Sequence, residues 1–139
     1  MTTRLIADTG LLVAYLDRRE LHHRWGVACA RDSAAPWLTC DAVVAEAWYL
    51  LRRLPVGQSA LLEMVEVGVL DIPFSLQGEV RAVKALCDRY QNVPMSLADA
   101  CLVRMSELYD DHAVGTLDSD FRIYRRHARR PIRLVTPVP

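Results

Sequence analysis

The stretch RLIADTGLLVAYL, residues 4–16, holds two periodicities side by side. Arg4-Leu5-Ile6-Ala7 is a short apolar run suited to a buried strand, and a helix follows from about Leu11. Between them stands Asp8, at the end of the strand and just before the apolar run Gly10 to Leu16. The same alternation continues along the chain. A second helix is expected across His22 to Arg31, and Pro36-Trp37-Leu38 reads as a second strand. That strand leads into a helix holding Glu46, which stops near the Arg52-Arg53-Leu54-Pro55 break. Gln58 to Val67 reads as helix ending at Gly68, Val69 to Pro73 as strand, and Ser75 to Tyr90 as a long amphipathic helix.

Met95 and Ser96 open a further helix, whose apolar face is Ala98, Cys101, Leu102, Met105, Leu108 and Tyr109. Ala113 to Leu117 is strand-like, Phe121 to His127 a short helix or turn, and Ile132 to Val135 a last strand. Alternating β and α units predict one α/β domain over residues 1–139. Its central sheet is expected to be mostly parallel, of four to five strands, flanked by helices on both faces in a three-layer sandwich.

Composition narrows the function without naming it. The 139 residues are 52% hydrophobic, which excludes a disordered chain. Lys+Arg and Asp+Glu balance at 17 each, so global charge argues neither for nor against a nucleic-acid partner. The N-terminus lacks the pattern of a secretion signal and no apolar run approaches a membrane span, so a cytoplasmic location is expected. Cys29, Cys40, Cys87 and Cys101 show no CxxC pairing and read as small core residues, with neither disulfides nor zinc suggested.

In a parallel sheet the functional cleft lies beyond the carboxyl ends of the strands. Asp8, Glu46, Asp99 and Asp118 fall at or near that edge. Each has a structural alternative. Asp8 suits a helix N-cap, Ser96-Leu97-Ala98-Asp99 fits a capping box, and Asp118 and Asp120 suit a turn. Glu46 lies far from a helix end within the apolar run AVVAEAWYLL, residues 42–51; a buried salt bridge is its structural alternative. If the first and fourth strands are neighbours, the acids converge. Several carboxylates that close cannot all ionise without cations. Mg²⁺ or Mn²⁺ supplies that charge through oxygen ligands and would polarise a phosphodiester and acidify water.

The segments Asp8 to Asp17, Val44 to Ala47, Met95 to Ala100 and Gly115 to Phe121 resemble the acidic motifs of PIN-domain proteins, nearest the VapC-type ribonuclease toxins of bacterial toxin–antitoxin pairs. The resemblance spans nearly the whole chain, with the motifs in the family's order. It implies a Mg²⁺- or Mn²⁺-dependent endoribonuclease in which Asp8, Glu46, Asp99 and Asp118 form an acidic quartet. Asp8 and Asp99 would be direct metal ligands, Asp118 direct or through water, and Glu46 a ligand or the residue orienting the attacking water. Thr116 would correspond to the hydroxyl of the T-x-D motif and Asp120 to its second acid. The resemblance also implies an RNA substrate, a homodimer and a cognate antitoxin. Where a proline is expected soon after the first aspartate, this chain has Leu11, a change bearing on the helix start.

Around this quartet other residues invite weighing. Arg122, Arg125 and Arg126, with Arg129 and Arg130, would hold RNA phosphates if they border the cleft, or else form a solvated or dimer-contact face. His22 and His23 are expected in surface or packing roles. Trp37, Trp48 and Tyr49 are expected in the core, or, if exposed, stacked on unpaired bases; Leu61, Leu62 and Met64 are expected in the core, with an apolar groove for a partner helix as the alternative. A phosphoacceptor domain needs a lysine at the end of its last strand, and the only lysine is Lys84, within a helix. A nucleotide-binding module needs a Gly-rich phosphate loop that the chain lacks. A non-catalytic PIN scaffold for protein binding is the remaining alternative.

Overall fold

The structure is a computed structural model and describes residues 2–139. In chain order the elements are β1 (Thr3–Ala7), α1 (Thr9–Leu16), α2 (His23–Asp32), β2 (Ser33–Leu38), α3 (Asp41–Leu50), α4 (Pro55–Glu66) and β3 (Leu70–Asp71). They continue with α5 (Leu76–Arg89), α6 (Leu97–Leu108), β4 (His112–Gly115), a 3₁₀ turn at Ser119–Arg122, β5 (Arg125–Arg126), β6 (Arg130–Pro131) and β7 (Leu134–Val135). Five strands form one sheet in the order β3-β2-β1-β4-β7, every neighbouring pair parallel. β1 lies at the centre, and its Leu5, Ile6 and Ala7 are at most 1% exposed, which is why this strand reads as a continuous apolar run.

The sheet has a switch point. From β1 the chain builds outward through β2 and β3, then returns to place β4 against the other side of β1. The register pairs Ile6 with Val114 and Ala7 with Gly115, and the Asp8 amide donates to the Gly115 carbonyl at 3.0 Å. At such a reversal the loops leaving the two strands part and open a crevice.

Local chemistry fixes where the helices start. Asp8 caps α1, Ser75 caps α5 by accepting the Gly78 amide at 3.0 Å, and Pro55 occupies the first turn of α4. Gly26 lets α2 lie directly on α1, since a Cβ there would sit 2.8 Å from the Tyr15 amide nitrogen. His23 shares a hydrogen bond with the Ala14 carbonyl at 2.8 Å across the same contact, a packing role as expected. Cys29, Cys40 and Cys101 are buried, Cys87 is partly buried, and all four are free thiols.

Three expectations fail. The segment Phe121 to His127 is not one helix or turn: after the 3₁₀ turn, β5 pairs antiparallel with β6 in a hairpin. Its turn is made by His127 and Ala128, at φ 49° and 67°, without the glycine or asparagine that would announce it. Trp48 and Tyr49 are not core residues, at 42% and 60% exposed, whereas Trp37 is buried. The reason lies in α3, which buries only Val43 and Ala47, so its outer face stays apolar and uncovered. Leu61 is fully buried as expected, but Leu62 is exposed and Met64 is only partly buried.

Because an L residue at φ 67° bears a steric cost that glycine does not, Ala128→Gly is expected to stabilise the fold by about 0.5 kcal/mol, net of the extra freedom of the unfolded chain. A shift of the urea midpoint to higher concentration at unchanged slope is the check.

Candidate active site

The crevice between β1 and β4 is acidic. Asp8, Glu46, Asp99 and Asp118 line one cleft of about 260 Å³ together with Thr9, Gly10, Leu50 and Leu117. The sheet edge, α3 and α6 thus bring together side chains more than 100 residues apart in the chain. Asp120 and the arginines are not part of this wall.

Asp8 is only 7% exposed and does two jobs. One oxygen, Oδ1, accepts the Thr9 amide at 2.7 Å and so caps α1. The other, Oδ2, accepts the Thr116 hydroxyl at 2.5 Å. Thr116 is fully buried just past β4, and its oxygen in turn accepts the Asp118 amide at 2.9 Å. Asp118 Oδ1 accepts the Asp120 amide at 2.9 Å, which folds the 3₁₀ turn. One threonine therefore sets the aim of Asp8 and the path of the backbone carrying Asp118.

Asp99 is half-buried in the first turn of α6. Its amide donates to the Ser96 hydroxyl at 3.0 Å, and its Oδ2 accepts the Ser96 amide at 3.1 Å, a complete capping box. The same Oδ2 lies 3.3 Å from the Tyr124 hydroxyl, which donates to it. Tyr124 is fully buried, its ring edge-on to Tyr90 and Phe121 at centroid separations of 5.1 and 5.2 Å. Nothing in the sequence marks Tyr124 as different from any other core aromatic, because its contact with Asp99 exists only after folding. Burial, and next the charge of Asp99, hold its phenol proton well above the usual range.

Glu46 answers differently from its sequence context. Its neighbours Trp48, Tyr49 and Leu50 are exposed, and Glu46 itself is exposed on the cleft rim with no ion pair among the described residues. The buried salt bridge that its surroundings suggested does not form.

The arginines that follow Asp118 are largely occupied by the chain. Arg122 donates to the Val138 carbonyl at 2.8 Å. Arg125 Nη1 reaches the carbonyls of Arg122, Ile123 and Tyr124. Arg126 is 8% exposed and pairs with Asp110.

The electrostatics are those of crowded acids. Burial pushes Asp8 up to about 6; the charges of Asp99 and Asp118 add to this, and the hydrogen bonds from Thr116 and Thr9 oppose it. Burial also raises Asp99, with the charge of Asp118 adding and the Ser96 contacts opposing. Among the described residues no three acidic, histidine or cysteine side chains close on one point as a ready-made cage. An open wall of carboxylates with free oxygens suits a hard cation that keeps most of its waters, as Mg²⁺ does. A site for zinc would look different, being closed and rich in nitrogen or sulfur.

The folded-state value of Asp8 lies above the ordinary 3.8. Between the two, the folded protein holds a proton that the unfolded chain has lost. The metal-free protein is thus expected to be most stable at low pH in this respect and to lose on the order of 2–3 kcal/mol as pH rises through about 6. Asp8→Asn should flatten that fall and raise the melting temperature at pH 7, read by thermal melts in a chelator. Tyr124→Phe should preserve the aromatic cluster yet remove one of the two hydrogen bonds that Asp99 Oδ2 accepts, leaving that from Ser96. A several-fold change in Mn²⁺ affinity at unchanged melting temperature, by calorimetric titration, is the expected result.

A family model described as PIN domain matches residues 5–126. The chain is 31% identical over 132 residues to Ribonuclease VapC26 of Mycobacterium tuberculosis (strain ATCC 25618 / H37Rv), covering 92% of this chain and 93% of that protein. Among solved structures it resembles Mycobacterium tuberculosis VapC20, described as a sarcin-ricin loop cleaving toxin. The TM-score is 0.75 at 18% identity, over 91% of this chain and 99% of that one. The likeness at that identity is one of fold, and it agrees with the five-stranded parallel sheet and its flanking helices. With the family model covering most of the chain and a relative aligned almost end to end, this protein belongs to the PIN domain family.

Proposed function

We propose that this chain is a divalent-metal-dependent endoribonuclease, the toxin of a VapBC-type toxin–antitoxin pair. The observation that carries the proposal is the single cleft lined by Asp8, Glu46, Asp99 and Asp118, two of them tied through Thr116. Similarity to a VapC ribonuclease over nearly the whole chain supports the same reading.

Asp8, Asp99 and Asp118 are the residues that would hold Mg²⁺ or Mn²⁺, which supplies charge to the phosphodiester and acidity to a water molecule. The hydrogen bonds from Thr9, Thr116 and Ser96 keep the carboxylates from rotating away, so little reorganisation is left to the moment of reaction. Glu46, exposed on the rim and free of partners among the described residues, is placed in the role of accepting a proton from the attacking water. Thr116 acts as the orienting hydroxyl, and Asp120 acts on the shape of the turn through its backbone amide. Arg122, Arg125 and Arg126 each hold a carbonyl or Asp110 partner in the free protein, and the remaining guanidinium donors of exposed Arg122 are the ones open to RNA phosphate.

Two surfaces suit the partners that the reading implies. The exposed Trp48, Tyr49 and Leu50 on α3 are apolar enough to pair with a second copy in a homodimer. A separate apolar cleft of about 210 Å³, lined by Tyr15, Trp37, Met64 and Val69, suits an apolar segment of the antitoxin. No helix among the described residues is long and apolar enough to cross a membrane, and an RNA substrate places the reaction in the cytoplasm.

Incubation with bacterial RNA and Mg²⁺ is expected to yield internal cleavage that a chelator stops. Asp8→Asn should lower the rate by more than the roughly 10–100-fold that losing an outer partner costs, with the fold retained by circular dichroism. A non-catalytic scaffold would instead show no metal-dependent cleavage and need not bind Mn²⁺ at all.

A further inference from the structure

We propose that the Thr9 hydroxyl is a phosphate-binding group, which donates a hydrogen bond to a non-bridging oxygen of the RNA backbone seated in the acidic cleft. The proposal rests on the ribonuclease reading and assigns a residue that this reading leaves without work.

Thr9 is 5% exposed, at the first position of α1, and lines the cleft beside Asp8 and Gly10. Its backbone is fully employed, the amide bound to Asp8 Oδ1 at 2.7 Å. Its side-chain oxygen is not. Among the described residues only Thr9 Oγ1 and Arg126 Nε are buried side-chain polar atoms without a hydrogen-bond partner. The arginine is a different case, since its guanidinium already engages Asp110 through another nitrogen. A hydroxyl taken from water and left unpaired weakens a fold, and valine would fill the same space without that penalty. For stability alone, threonine is the poorer choice at this position.

The wall of the cleft explains what the hydroxyl is for. Its polar side chains are four carboxylates and Thr9, and no Lys, Arg or His stands among them. Ionised carboxylates only accept hydrogen bonds, and so do phosphate oxygens. A cation can bridge the two, but it does not fix how the phosphate turns about it. Orientation needs a donor from the protein. Thr116, the other hydroxyl nearby, has spent its proton on Asp8 and its lone pair on the Asp118 amide. Thr9 is the side chain left to supply one, by a turn about its χ1 bond.

Thr9→Val and Thr9→Ser separate this role from packing. Four quantities decide it: melting temperature without metal or RNA, Mn²⁺ affinity, affinity for a short mixed-sequence single-stranded RNA in Ca²⁺, and kcat/KM for that RNA in Mg²⁺. Thr9→Val is expected to melt above the wild type by relief of the unpaired hydroxyl and to bind Mn²⁺ as before. It should lose about tenfold to a hundredfold in RNA affinity and in kcat/KM, the worth of one hydrogen bond to a charged group. Thr9→Ser, which keeps the hydroxyl, should recover most of the RNA binding. Thr9→Val binding and cutting RNA like the wild type would overturn the proposal. So would a parallel loss of Mn²⁺ affinity, which would tie the hydroxyl to the cation's water shell, or a melting temperature at or below the wild type. A wild type that cuts no RNA in any divalent cation would sink the ribonuclease reading instead, leaving the binding comparison in Ca²⁺ to stand by itself.

Discussion

The pairing of β1 with β4, closed at its end by the hydrogen bond from Thr116 to Asp8, is the constraint on which the site hangs. Parallel register sets Ala7 opposite Gly115, so the next residues on the two strands leave the sheet side by side. Side chains alternate along a strand, and a slip of one residue would send Asp8 and Thr116 to opposite faces. Gly115 lets Leu11 of α1 lie close on β4, because a Cβ there would fall 2.6 Å from Leu11 Cδ2. From this one juncture the Thr116 oxygen reaches the Asp118 amide, and the 3₁₀ turn follows.

For the acids, capping a helical turn and lining the cleft are not rival roles. Asp8, Asp99 and Asp118 each accept a backbone amide at the start of a helical turn, as their sequence context proposes. Each nevertheless faces the cleft. A cap needs one oxygen, and a carboxylate has two. Fixing the first in the backbone removes a rotational degree of freedom from the second, so the helix starts serve as the mounts of the site. The cost appears as the raised protonation of Asp8, which the metal-free fold tolerates because neighbouring hydrogen bonds offset part of it.

Much of this was legible in the chain. The buried central strand, the capped α5 and α6, and the break after α3 all carry local signals strong enough to survive tertiary context. What could not be read arises from long-range contacts or from weak local ones. The β5–β6 hairpin rests on strands of two residues and a turn of His127 and Ala128, which no periodicity reveals. Trp48 and Tyr49 look like core by residue type, and only the packing of α3 on Val43 and Ala47 shows that they face outward. The arginine run reads equally as a phosphate-holding or a solvated face; folding gives Arg122, Arg125 and Arg126 carbonyl or Asp110 partners, while Arg129 and Arg130 stay exposed.

The distance along the chain between the two halves of the Asp8–Thr116 bond is 108 residues. Contacts of such span form late, since their loops must close before any reward arrives. During synthesis β1, β2 and β3 leave the ribosome long before β4, and until β4 inserts, Asp8 has neither its hydroxyl partner nor Asp118 for company. A nascent chain of this protein therefore carries no assembled cleft while most of it already exists. The cleft takes its final shape only after β4 and the residues just beyond it have been made.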